Sequence, residues 1–400
     1  MVCRTRNVSV SVFWALCIMG FFAILSSTMS KSPVLKPFSL SLGTPTGWTG
    51  VVAAASTIPG ILISLPVASL SDIFGRRRFL FVAGVLFASA PFLYLLIDMW
   101  WQLILVRFYH GFATAIFVPV AEASIAELFP GKRGERISLF SSATCVARVI
   151  APVLGGYVLF VTAVDFRLLY LYVAVPGVTA LITALPFLLG RRRSVVRGRV
   201  NTGEVATRIF HGWRSIVSDR RVLLVSSVQA CLYYAYGSIE FYLAGYLLEV
   251  VSMNDFLTGI LITSIMAVGI FARPYMGRLS DKVGRRPIIV LGLLVSGLPL
   301  LAVPFSTDFW LLMLLMGALG FGFACVTSSS PALISELAPK ELVGTSMGFL
   351  DTVMDVGQAI GPIISGLILA ASQHYTGIFL SVACLLLLSG IFFFLSNVGK

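Results

Sequence analysis

Charge is scarce in this chain. Only 12% of its 400 residues are Asp, Glu, Lys or Arg, about half the share of a soluble globular protein. With 58% hydrophobic residues, a soluble chain of this length could not cover its surface, which excludes a cytosolic enzyme and a disordered chain. Acid is scarcer than base: 17 Asp and Glu stand against 29 Lys and Arg, a net charge of +12. The only histidines, His110, His211 and His374, lack metal-ligand spacing, so no metal site is expected. Six cysteines form no CxxC pair and fall mostly in apolar runs. They read as small buried hydrophobes rather than a disulfide framework. There is no Walker A sequence, so the chain cannot use ATP alone, and no cofactor is expected. Gly344-Thr345-Ser346-Met347-Gly348 matches the GxSxG hydrolase pattern, but it opens an apolar run and follows no strand, so it is read as chance.

Long apolar runs are what the chain has in quantity. A bilayer core needs about 20 apolar residues per helix. Stretches with few or no charges occur at 9–29, 48–70, 79–97, 101–126, 137–163, 168–190, 222–247, 256–277, 287–306, 309–334, 343–371 and 376–397. The fold class that follows is an all-α polytopic membrane protein with twelve transmembrane helices. Arg4 and Arg6 ahead of the first run also resemble a signal peptide. The repeat described below favours a retained first helix.

Lys and Arg segregate by loop. Of the 29, 23 fall in the termini and even-numbered loops, and only Lys31, Lys36 and Arg167 in the odd ones. Cytoplasmic loops carry the basic excess, so both termini are expected in the cytoplasm of a plasma-membrane protein. A nucleic-acid binder would place its basic residues on a solvated domain, and none is present. The division expected is an N-terminal six-helix bundle at 1–190, a cytoplasmic linker at 191–221 and a C-terminal bundle at 222–400. Within the linker, Asn201 and Glu204 resemble a capping box. Val205, Ile209, Trp213, Ile216 and Val217 then recur at helical spacing, as in an amphipathic helix on the membrane face.

The halves repeat. Thr49-Gly50 matches Thr258-Gly259, Leu70-Ser71-Asp72 matches Leu279-Ser280-Asp281, and Gly75-Arg76-Arg77 matches Gly284-Arg285-Arg286. Trp101 matches Trp310, Gly111 matches Gly320 and Glu127 matches Glu336, each pair 209 apart, while Pro152 and Pro362 are 210 apart. Two parallel six-helix repeats are the plan of a rocking transporter. The duplicated loops, Ala68-Ser-Leu-Ser-Asp-Ile-Phe-Gly-Arg-Arg-Arg78 and Gly277-Arg-Leu-Ser-Asp-Lys-Val-Gly-Arg-Arg-Pro287, resemble the signature loop of the major facilitator superfamily. The first copy departs from it, with Ala68 for the usual Gly and Ile73 for a basic residue. The likeness covers essentially the whole chain. It implies gating roles for Asp72, Gly75, Arg76 and Arg77, and for Asp281, Gly284, Arg285 and Arg286. Physically, Gly277 or Ala68 would permit close helix approach, Gly75 and Gly284 a tight turn, and the aspartates can pair with neighbouring arginines.

Ionisable residues inside spans each cost about 2.5–3.5 kcal/mol at the bilayer centre, so they are expected to face a cavity or one another. Arg107 and His110, in Arg107-Phe-Tyr-His110-Gly111, resemble the superfamily's helix-4 motif, which implies proton coupling through Arg107. A structural pair fixing that helix is the alternative. In the eleventh span, Asp351, Asp355 and Gln358 lie at roughly 0°, 40° and −20° around the axis. Asp355 falls about 18 Å from the cytoplasmic end, near the midplane, where two close carboxylates suit a proton carrier. In the seventh span, Gln229, Tyr233, Tyr236 and Glu240 share one face, an arrangement fit for an amphipathic substrate. Glu240 lies toward the outer end. Arg148, which could hold an anionic group or pair with Glu122, precedes Ala151-Pro152-Val-Leu-Gly155-Gly156. That segment resembles the antiporter motif of drug:proton exporters, and Gly357 to Gly366 is a second version. A small-residue packing face would look similar.

The function expected is secondary active transport by alternating access, with proton-coupled efflux of a small amphipathic compound, by a monomer whose partners are substrate, protons and the bilayer. A symporter importing a small organic solute or anion is the alternative of the same class. A membrane receptor or membrane enzyme is the alternative of another class.

Overall fold

The computed structural model describes residues 2–189, 219–338 and 343–396. The linker's expected amphipathic helix lies outside the described residues. Among the described residues every regular element is helical: α1 (Val2–Met29), α2 (Leu35–Ser41), α3 (Thr46–Ala54), α4 (Ile58–Phe74), α5 (Arg76–Tyr94), α6 (Trp100–Leu128), α7 (Arg133–Val161), α8 (Phe166–Leu189), α9 (Arg220–Glu249), α10 (Asp255–Val283), α11 (Arg285–Ala302), α12 (Phe309–Leu337), α13 (Val343–Ser372) and α14 (Tyr375–Leu395). Twelve candidate membrane spans are present among them, with α3 and the start of α4 forming one. Hydrocarbon offers no partner for backbone N–H and C=O groups, so each apolar run must satisfy them within a helix. Polar residues start several helices. The Asn254 and Asp308 carboxamide and carboxylate oxygens accept from Leu257 and Leu311 N–H at 2.8 Å, and Asp219 accepts from Arg221 N–H at 2.9 Å.

The chain divides into two compact units. One comprises Met1–Gly43 and Ala55–Val200, the other Thr44–Ala54 and Asn201–Lys400. The bounds differ from the expected ones at Thr44–Ala54, which groups with the C-terminal residues. In that second unit α3 packs against α13. Gly50 lies so close to Pro362 that a Cβ would collide with its carbonyl. Tyr242 donates to the Pro362 carbonyl at 3.1 Å and lies 3.1 Å from the Thr49 hydroxyl.

Three expectations need correction. The second span is not one helix: α3 ends at Ala54 and α4 begins at Ile58. Pro59 has no N–H to offer the carbonyl of Ala55, so the ladder is interrupted there. Lys36, counted among the charges of the odd loops and so expected on the solvent side, is 2% exposed, because α2 folds the loop back onto the bundle. Phe38 beside it packs on Phe166 and Tyr170. Finally, Gly277 serves no close approach, since a Cβ there would meet nothing within 4 Å. The side chain of Ala68, its counterpart, lies outside the described residues.

Close approach occurs elsewhere. In the first unit a Cβ on Gly111 would strike the Ser56 carbonyl, and in the second a Cβ on Gly320 would strike that of Ile265. Those two contacts are 209 residues apart at both partners. Gly237, Gly357 and Gly361 bring α9 and α13 together in the same way, and Ser365 bonds Ser238 across that seam at 2.9 Å.

Candidate functional site

The duplicated loops are built alike. Gly75 and Gly284 adopt φ of 95° and 103°, values that glycine takes without a Cβ penalty, and each turn ends one helix and starts the next. The arginine after each turn reaches back to a glutamate at the end of the neighbouring helix. Arg76 binds Glu127 through two 3.0 Å hydrogen bonds. Arg285 binds Glu336 at 3.0 Å and also pairs with Asp281. Arg286 donates to the Phe394 and Ser396 carbonyls, closing the end of α14. Arg77 is half-buried. The side chain of Asp72 lies outside the described residues. Glu127 and Glu336 were visible as a repeated pair, but the spacing alone gave no reason to join them to the arginines.

In the second unit, the face of α9 meets different neighbours along its length. Gln229 is buried and its amide nitrogen points at the Met354 sulfur at 3.5 Å, toward α13. Tyr233 and Tyr236 instead pack on Phe323 of α12, with ring centroids 5.3 and 5.1 Å away. Tyr236 and Glu240 line an apolar cavity with Ile262, Met266, Leu319 and Phe323. Glu240, expected toward the outer end, is 7% exposed within that wall. The four residues share a helical face, yet the first and last are about 16 Å apart along the axis, so they do not form one site. Phe323 carried no sequence signal. Arg273 also lies over its ring, 5.7 Å from the centroid, close enough for a cation–π contact.

On α13, Asp351 is exposed, while Asp355 and Gln358 are half-buried. In the first unit, Ala151, Pro152, Gly155 and Gly156 of α7 are all buried. A Cβ on Gly155 would press on Val34 and the Ser32 carbonyl, so this antiporter-like segment is a packing face. Arg148 is exposed and makes no ion pair among the described residues, with Glu122 or any other acid.

Arg107 and His110 are both 2% exposed. Arg107 donates to the Ser56 hydroxyl at 2.5 Å, in the break between α3 and α4, and its charge acts on Tyr94. Tyr94 lies 3.4 Å from His110 Nδ1 and stacks on Tyr170 at 4.3 Å. Tyr94, Tyr170 and Ser56 were not anticipated, because α5, α8 and the break supply them from distant parts of the chain.

The chain thus carries one loop geometry twice, 209 residues apart, and ionisable groups within its spans. The family model of the Major Facilitator Superfamily matches residues 13–275 and 229–399. The multi-drug resistance efflux pump PmrA homolog of Lactococcus lactis is 24% identical over 384 residues, covering 91% of this chain and 90% of that one. The class H tetracycline resistance protein of Pasteurella multocida is 37% identical over 150 residues, covering 36% of this chain and 37% of that one. Among solved structures, an inward-facing bacterial homolog of the human lysosomal transporter Spinster superposes with a TM-score of 0.81 at 15% identity, covering 98% and 96%. Repeat, signature loops and fold agree, and the chain belongs to the Major Facilitator Superfamily as a multi-pass membrane transporter, not an enzyme.

Proposed function

We propose that the protein is a proton-coupled exporter of a small amphipathic organic compound, a monomer in the plasma membrane with both termini cytoplasmic. The observation that carries this reading is the second unit's apolar aromatic cavity with a single carboxylate, Glu240, in its wall beside Tyr236 and Phe323. Such a wall suits the apolar body and polar tip of an amphipathic molecule. The acidic stripe of α13 supplies proton exchange: Asp355 is the principal carrier, with Asp351 nearer the end of the helix. Full-length similarity to an efflux pump supports the outward direction. The Arg76–Glu127 and Arg285–Glu336 pairs hold the signature loops to their neighbouring helices and release them as the transporter changes state.

The test is paired counterflow and pH-driven transport on the same proteoliposomes, screened over lipophilic cations and organic acids. Asp355→Asn mimics a permanently protonated carrier. It is expected to keep exchange of labelled for unlabelled substrate and to lose accumulation driven by a pH gradient, because proton release is blocked. Asp355→Glu is expected to retain partial coupling. Uphill transport by Asp355→Asn at the parent rate would remove Asp355 from the coupling path.

A further inference from the structure

We propose that the N-terminal unit binds a small monovalent anion, a halide or a short carboxylate, at a buried site formed by Arg107, His110, Tyr94 and Tyr170. The starting point is a charge without a counter-charge. Arg107 is 2% exposed and forms no ion pair among the described residues. Its acceptor, the Ser56 hydroxyl, is neutral. An uncompensated charge held away from water costs several kcal/mol, and a guanidinium cannot shed its proton to escape that cost. Something negative must offset it.

The hydrogen-bond inventory says what kind of group. The Tyr94 hydroxyl lies 3.4 Å from His110 Nδ1. Where that hydroxyl donates to Nδ1, the neutral imidazole carries its hydrogen on Nε2. Arg107 Nε, His110 Nε2 and the Tyr170 hydroxyl are all buried and have no hydrogen-bond partner among the described residues. All three can donate, and Arg107 Nε can do nothing else. A ligand that accepts several hydrogen bonds and carries negative charge matches this set. One guanidinium among neutral groups sets that charge at one.

The four side chains are one cluster. Tyr94 and Tyr170 stack with an interplanar angle of 3°, the His110 ring sits 6.0 Å from Tyr94, and the charge of Arg107 acts on all three. Met316 and Leu319 stand at the matching positions of the other half, so the cluster is not scaffold that the duplication preserved. The site stands whatever the direction of transport.

The experiment is thermal unfolding of the purified full-length protein, titrated with chloride, bromide or acetate against bulky gluconate at constant ionic strength. The parent is expected to show a saturable rise in unfolding temperature. Tyr170→Phe removes one unpartnered donor and nothing else. It is expected to unfold at the parent temperature in gluconate and to need about tenfold more anion for the same effect. Arg107→Gln is expected to lose the response. In crystals, the anomalous signal of bromide is expected beside Arg107. Saturation by halides identifies an inorganic ion. Saturation by carboxylates alone, in competition with a transported compound, identifies the substrate's own carboxylate. A flat titration with every anion, a response unchanged in both variants, or bromide bound elsewhere overturns the proposal. If Arg107→Gln does not fold, Tyr170→Phe and the bromide position decide. None of these readouts uses the pH gradient, so failure here and failure of proton-coupled export are separable.

Discussion

At positions 209 apart, Arg76 holds Glu127 and Arg285 holds Glu336, while Gly111 abuts the Ser56 carbonyl and Gly320 that of Ile265. The charges within the spans follow no such rule. Arg107 faces Met316 across the repeat, His110 faces Leu319, and Glu240 faces Lys31. At the 210 offset of the paired prolines, Asp355 stands opposite Cys145, and Arg148 opposite Gln358. The N-terminal unit keeps an uncompensated cation, and the C-terminal unit keeps the acidic stripe. Duplication thus preserved the contacts that set backbone distance and turn geometry, whereas intramembrane charge diverged. A residue's match across the repeat is therefore a guide to its role: matched residues build the frame, and unmatched polar ones are candidates for ligand and proton.

The comparison breaks most readily at the paired glycines. Gly111→Leu and Gly320→Leu each drive a side chain into a backbone carbonyl that cannot move aside. Both are expected to yield no folded protein after extraction, read as loss of the monodisperse peak on size exclusion. Alanine at either position is expected to destabilise by about 1–3 kcal/mol, whereas Gly277→Ala, with open space around it, is expected to change stability by less than about 0.5 kcal/mol. Equal tolerance at all three sites would show that sequence matching across the repeat says nothing about packing.

A smaller effect is expected at the paired glutamates. Glu127 and Glu336 are about half exposed, at 54% and 53%, so each pair contributes up to about 1 kcal/mol to stability. Glu127→Gln and Glu336→Gln are therefore expected to leave thermal unfolding almost unchanged while slowing turnover several-fold in proteoliposomes. Exchanging the partners, as Arg76→Glu with Glu127→Arg, is expected to recover part of the loss. If the exchanged pair stays as slow as the single variants, attraction between the side chains is not what the gate uses.

Much of this was legible in the sequence, for identifiable physical reasons. A hydrocarbon solvent forces apolar runs into helices, so the twelve spans could be counted, and the 209 offset exposed the duplicated loops before any contact was known. The break after Ala54 escaped because Pro59 is one residue in a run of high hydropathy. The burial of Lys36 escaped because no linear pattern says that a loop folds back under a bundle. Tyr94 and Tyr170 lie 76 residues apart on α5 and α8, and neither is charged, so nothing marked them as neighbours of Arg107. Periodicity likewise put Gln229 and Glu240 on one face of α9 correctly, but it carries no information on what faces each turn of that helix.

The smallest effect concerns a backbone feature the halves do not share, the break between α3 and α4, which α10 crosses without interruption. Two causes can be separated. Pro59 withholds the N–H that the Ala55 carbonyl would accept, and Arg107 pulls on the Ser56 hydroxyl from α6. Ser56→Ala removes only the second. The loss is one hydrogen bond, about 1 kcal/mol in thermal unfolding. The break itself is expected to remain, with amide hydrogen exchange of Ile58 to Leu62 as fast as in the parent. Pro59→Ala restores the missing N–H and is expected to slow exchange across those residues, moving α4 toward the continuous form of α10. Slower exchange in Ser56→Ala and none in Pro59→Ala would assign the break to Arg107. The difference between the halves would then follow from the same unmatched charge that marks the proposed anion site, and not from a proline in the second span.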